Sequence, residues 1–186
     1  VAVGFNAGLE TTIGDANIAI GYQAMVGDGA FQNDNNIAIG SASPDGTLAA
    51  MGCQWATAAS SNNIAIGTGS MAGVMNGALY NTAIGYKSLP ALTTGDSNVA
   101  IGFSSFESVT EGDSNTAIGR DSGASLNTGD NNTFLGFQSG IGGSPGGAVT
   151  TGDNQVCIGD ENVTHAHIEV DWTIASDQRD KTDFTA

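Results

Sequence analysis

Apolar and polar positions along this chain recur in one five-residue phrase, Asn-x-Ala-Ile-Gly. It stands as Asn17-Ile-Ala-Ile-Gly21, Asn36-Ile-Ala-Ile-Gly40, Asn63-Ile-Ala-Ile-Gly67, Asn81-Thr-Ala-Ile-Gly85, Asn98-Val-Ala-Ile-Gly102 and Asn115-Thr-Ala-Ile-Gly119. Looser copies are Asn132-Thr-Phe-Leu-Gly136 and Gln155-Val-Cys-Ile-Gly159, and Val1-Ala-Val-Gly4 is a copy without its first residue. The closing glycines are spaced by 17, 19, 27, 18, 17, 17, 17 and 23 residues. The unit is therefore 17 residues with a few insertions, and Leu48-Ala-Ala-Met-Gly52 in the longest gap is a candidate tenth copy. The second residue of every full copy is β-branched, which suits a pleated strand. Period-2 geometry puts that residue and the Ile on one face, with Ala and Gly on the other. Gly-Asp turns such as Gly95-Asp96, Gly112-Asp113 and Gly129-Asp130 precede the strands, where Gly supplies positive φ and Asp bonds nearby backbone.

A unit this short excludes a propeller blade and a helical repeat pair. It predicts an all-β fold, a parallel β-solenoid of nine or ten coils with two short strands per coil. At ~4.8 Å per coil the rod would be roughly 45 Å long. The Asn column should stack as an amide ladder, each side chain bonding the next. A coil lined with Ala and Gly encloses little volume, so the other apolar face needs a partner. Identical chains packed about a common axis supply one, and we expect a homotrimer.

Composition narrows the partners. Lys and Arg number 4 against 19 Asp and Glu, a net charge of −15, which argues against nucleic acid and anionic membrane surfaces. The 28 glycines disfavour long helices. Hydrophobic residues make up 40%, too many for a disordered acidic chain. No signal-peptide pattern is present and no apolar run approaches the ~20 residues that span a bilayer, so no membrane insertion is expected. Val1 falls inside a repeat, and we expect the sequence to be a piece of a longer protein.

The Asn-x-Ala-Ile-Gly column over residues 1–159 closely resembles the head repeats of trimeric autotransporter adhesins of the YadA type. That resemblance implies a trimeric parallel β-roll. The periodicity stops after Gly159. Residues 160–175 alternate apolar and polar from Val163 to Ile174, and we expect a capping or intertwined strand there. Ser176-Asp177-Gln178-Arg179-Asp180-Lys181 resembles the start of the endosialidase-type intramolecular chaperone, which follows phage tail fibres and tailspikes. The resemblance implies that Ser176 is a self-cleavage nucleophile and Lys181 its base in a longer precursor. Residues 176–186 alone should be a flexible remnant.

Both histidines stand in His165-Ala166-His167. On a strand they share a side, and three copies would gather six imidazoles suited to Fe, Ni or Zn on the trimer axis. The pair resembles the His-x-His iron sites of phage fibre and spike tips. The alternative is a pair of solvent-facing histidines. Phe5, Tyr22, Tyr86, Phe103 and Phe137 follow the motif glycine, and packing is a better reading of that column than sugar stacking. The Gly-Asp turns lack the dense Asp spacing of a Ca²⁺ loop. Cys157 takes an Ala position, where a buried inert thiol is expected, and Cys53 has no basic neighbour to activate it. Insertions carry recognition on rigid scaffolds, which makes Trp55 a candidate receptor contact, the alternative being a worn coil with Trp55 packed inside.

These observations give a structural and adhesive reading: part of a trimeric viral tail fibre or spike presenting a surface for a host glycan or protein receptor, and so located on the virion. The alternative is the head of a bacterial trimeric autotransporter adhesin at the cell surface. A glycan-cleaving enzyme needs paired carboxylates in a cleft, whereas these carboxylates sit in repeated turns. An ice-binding face needs a regular Thr array, and Thr fills the second motif position only intermittently, at 82, 116 and 133.

Overall fold

The computed structural model describes residues 1–9, 14–27, 33–41, 52–53, 58–144 and 146–165. Within them the chain forms short strands and turns and no helix. Nine strands make one parallel sheet: β1 (Ala2–Val3), β2 (Ile18–Ile20), β4 (Ile37–Ile39), β6 (Ile64–Ile66), β7 (Thr82–Ile84), β8 (Val99–Ile101), β9 (Thr116–Ile118), β10 (Thr133–Leu135) and β11 (Val156–Ile158). Two more, β3 (Val26–Gly27) and β5 (Gly52–Cys53), pair with each other. Every motif copy contributes one strand and the register keeps like positions level, as in Ala83↔Ala100 and Ala100↔Ala117. The chain is a parallel β-solenoid.

Corners limit each strand to three residues. The residue before the ladder Asn is left-handed in every described coil: Ala16, Asn35, Asn62, Tyr80, Ser97, Ser114, Asn131 and Asn154. At the other end the motif glycine turns the chain, with φ of 138° at Gly102. A Cβ at Gly102 would collide with the backbone carbonyl of Gly119 in the next coil, so Gly meets both a positive φ and a close approach there.

Two expectations are corrected. The regular coils have one strand, not two. On their second side Lys87, Leu89, Ser104 and Phe106 have φ of 49–53°, and alternating left-handed residues break the pleat of a strand. Coil-to-coil backbone bonds persist there nonetheless, from Leu89 N–H to Ser105 O at 2.9 Å and from Phe106 N–H to Ser122 O at 3.0 Å. Nor is Gly52 part of a tenth coil in the main sheet. Strand β4 pairs directly with β6, and Gly52 instead lies beside Val26.

The interior is a set of columns. Ala38, Ala65, Ala83, Ala100 and Ala117 line it from the sheet side, with Leu92, Val109 and Leu126 opposite, all fully buried. Phe134 occupies the Ala position of its coil and is also fully buried. Space for that ring comes from Gly123, where a Cβ would stand 2.5 Å from the Phe106 ring and 3.0 Å from that of Phe134, and from Gly140, where it would strike Phe134. The two rings meet edge to face with centroids 5.8 Å apart, a favourable aromatic geometry.

The amide ladder forms as expected. Asn81, Asn98, Asn115 and Asn132 are fully buried. The Asn98 amide donates to Asn81 Oδ1 at 3.1 Å and to Gly112 O at 2.7 Å. Its own Oδ1 accepts the Asn115 backbone N–H at 3.0 Å and the Asn115 amide at 3.1 Å. Buried amides satisfied on both sides resist displacement, because an orphaned polar group costs roughly 1–3 kcal/mol. A second polar column was not anticipated: Ser70, Ser88, Ser105, Ser122 and Ser139 are all buried. Ser88 Oγ bonds Gly85 O at 3.3 Å, and Ser122 and Ser139 share a bond of 3.0 Å. No buried side-chain nitrogen or oxygen among the described residues lacks a partner.

Candidate functional site

The strand that points Ala inward points Ile and its β-branched mate outward. That outer face is only half covered. Ile20 is 38% exposed, Ile118 43% and Ile158 57%. Thr82, Ile84, Val99, Ile101, Thr116 and Thr133 are partly exposed. The result is a strip one strand wide and nine strands long, walled by small apolar and Thr side chains.

Different columns border the strip. At the C-terminal ends of the strands stand Tyr86, Phe103, Arg120 and Phe137 in successive coils. Tyr86 and Phe103 stack with centroids 5.4 Å apart, and Phe5 stacks on Tyr22 at 5.8 Å. Arg120 takes the place of a ring: its guanidinium carbon lies 5.5 Å from the Phe103 centroid and 5.6 Å from that of Phe137. Lys87 sits 5.6 Å over Tyr86. These are cation–π distances. The shared faces of these rings are occupied by neighbours along the column, while their edges meet solvent. Packing along the column thus uses the very faces a sugar ring would need. The side chains nevertheless stay on the surface, from 44% exposed at Tyr86 to 68% at Phe5.

At the N-terminal ends of the strands runs a column of carboxylates. Asp113 Oδ1 accepts the Asp96 N–H at 2.7 Å, Asp130 Oδ1 the Asp113 N–H at 2.8 Å, and Asp153 Oδ1 the Asp130 N–H at 2.8 Å. Asp15 and Asp34 are joined the same way at 2.7 Å. Each Asp therefore ties its coil to the preceding one, which is turn chemistry. Among the described residues no three His, Cys, Asp or Glu side chains gather as a metal site.

His165 is exposed, and its Nδ1 lies 2.8 Å from Thr164 Oγ1. His167, Trp55, Ser176 and Lys181 lie outside the described residues, so the His pair, the receptor contact and the self-cleavage dyad are not placed. Cys157 is a free thiol in β11, level with Phe134 of β10. It is half-buried rather than enclosed, and desolvation raises its pKa above the usual 9.0. After β11 the chain turns at Asp160, whose carboxylate accepts from Asn162 N–H at 3.0 Å and from the Asn162 amide at 2.8 Å. Val163 then lies over Gly159, in the space a Cβ there would need.

Two columns, one on the surface and one buried, are not part of the expectations drawn from the sequence. Arg120 falls at the aromatic position, one residue past Gly119, and that spacing could have placed it in the ring column. The Ser column recurs three residues past the motif glycine at Ser70, Ser88, Ser105, Ser122 and Ser139, a spacing as constant as that of Asn.

The fold and surface define a β-solenoid repeat protein. Comparison with protein families, curated proteins and solved structures finds no match to this chain. Among the described residues no helix is long and apolar enough to cross a membrane.

Proposed function

We propose that this chain is a structural and adhesive segment of a trimeric viral tail fibre or spike, holding a host-binding surface on a rigid rod. The observation that carries the reading is the contrast across one sheet. Its inner side is closed by a fully bonded Asn ladder, while its outer side leaves Ile and Val half-exposed over nine strands. A strip of that kind is typical of an association surface, and three copies about the rod axis would cover it. Rigid parallel coils suit mechanical presentation better than turnover, and the carboxylates of the Asp column are engaged in turn bonds. In a longer precursor Ser176 and Lys181 would carry a single self-cleavage.

The test is competition. The purified rod, added before the parent virus, should lower adsorption to the host in a dose-dependent way, and Trp55→Ala should weaken that competition. No competition at saturating protein would contradict host binding. The Asn-x-Ala-Ile-Gly column favours one second reading, the head of a bacterial trimeric adhesin. A secretion signal upstream in the parent gene would favour it, and a neighbouring tail-assembly cluster would favour the fibre.

A further inference from the structure

The two borders of the outer face carry opposite chemistry. Lys87 and Arg120, the two Lys or Arg side chains among the described residues, both stand on the aromatic border. The other border carries Asp15, Asp34, Asp96, Asp113, Asp130 and Asp153. Arg120 bonds Asp121 through Nε at 3.1 Å, which leaves both terminal amino groups of a side chain that is 64% exposed. The ring edges on the same border are the positive part of the aromatic quadrupole, so the rings, Lys87 and the outer end of Arg120 favour an acidic neighbour although Asp121 offsets part of the charge.

Symmetry turns this into a prediction of geometry. Rotation about an axis parallel to the rod brings the C-terminal border of one copy against the N-terminal border of the next, coil level with coil. A two-fold axis perpendicular to the rod, lying along the strands, instead sets carboxylates against carboxylates. We propose that the aromatic–cation border and the acidic border are two halves of one inter-chain joint. Copies of this chain then associate with their rods parallel, Arg120 of one copy facing the turn at Asp113 and Ser114 of the next. The proposal deepens the trimer reading above and rests on it for the number of copies. Electrostatic complementarity acts here chiefly on orientation and register, since exposed pairs add little affinity.

The experiment is cross-linking of cysteine variants in a Cys53→Ser, Cys157→Ala background, read beside sedimentation. Ser114→Cys and Arg120→Cys combined, bridged with a short bis-maleimide, should give a covalent trimer on a denaturing gel. Each single variant should stay below about a tenth of that yield. Ser97→Cys with Phe103→Cys, one coil earlier, should behave alike and guards against a folding defect in the first pair. Sedimentation as a trimer with single variants linking to themselves, or with neither double variant linking, would overturn the joint and leave the trimer standing. Linkage no further than a dimer, with sedimentation as a dimer, would keep the joint and overturn the trimer. A monomer would overturn both.

Discussion

The inner and outer sides of the same three-residue strands differ in a way that hydrophobicity alone does not capture. Inside, the strand side chains are small or amide-bearing, and among the described residues every buried side-chain nitrogen or oxygen has a partner. Outside, the side chains are larger and more apolar, yet Ile118 remains 43% exposed. On the sheet side the larger side chains stay out because that wall of a 17-residue coil has room only for Ala and Asn, while Leu92, Val109 and Leu126 fill the interior away from the sheet. Where a large residue does enter, at Phe134, the facing coil positions become Gly123 and Gly140. The chain is thus finished on its inside and unfinished on its outside.

The inside should be the harder side to disturb. Asn98→Ala removes four hydrogen bonds and orphans the buried Asn115 N–H. Urea unfolding should show a loss of about 4 kcal/mol, set by the cost of unsatisfied buried groups. Phe134→Ala leaves a cavity between Gly123 and Gly140 and should cost about 3 kcal/mol in the same assay. Asn17→Ala near the first coil removes two bonds in a part-buried setting, with an expected cost of about 1 kcal/mol. Equal losses at Asn98 and Asn17 would mean that the ladder does not gain from burial.

Ile101→Asp probes the outside. It touches no ladder bond, so the circular dichroism spectrum should keep its β signature, while the proposed trimer should give way to a smaller species. A collapse of the spectrum would place Ile101 in the core of a single chain. At the last coil Gln155 N–H reaches Asn132 Oδ1 at 2.9 Å, but its side chain is one methylene too long for the ladder. Gln155→Asn should extend it and raise stability by about 0.5–1 kcal/mol. Cys157 should show the smallest effect. Its raised pKa means the folded chain holds the thiol proton longer than the unfolded chain does. Stability is then lost only as pH rises above 9, and iodoacetamide should label the native protein more slowly than the unfolded one near pH 8.

The column logic was legible in the sequence because spacing survives folding. Asn98, Ala100 and Gly102 recur at fixed intervals, and each interval became one coil. The single strand per coil was not legible, since Leu89 and Phe106 look like strand residues yet adopt positive φ. Nothing local marks that conformation; it follows from the tight second corner. Gly52 failed as a repeat because apolar pattern without the preceding Asn does not supply a ladder rung. The outer face was readable as apolar, and its borders were not, because their chemistry depends on which columns the corners place beside the strip. Arg120 became informative only once it was seen between Phe103 and Phe137.

If copies of the chain cover the outer face, the native mass must be a multiple of the chain's own. Sedimentation equilibrium at micromolar concentration addresses it most directly. A trimer gives a single species of three times 18.6 kDa, unchanged on tenfold dilution and shifted to lower mass by Ile101→Asp. A folded species of 18.6 kDa, with Ile101→Asp indistinguishable from it, would contradict the claim.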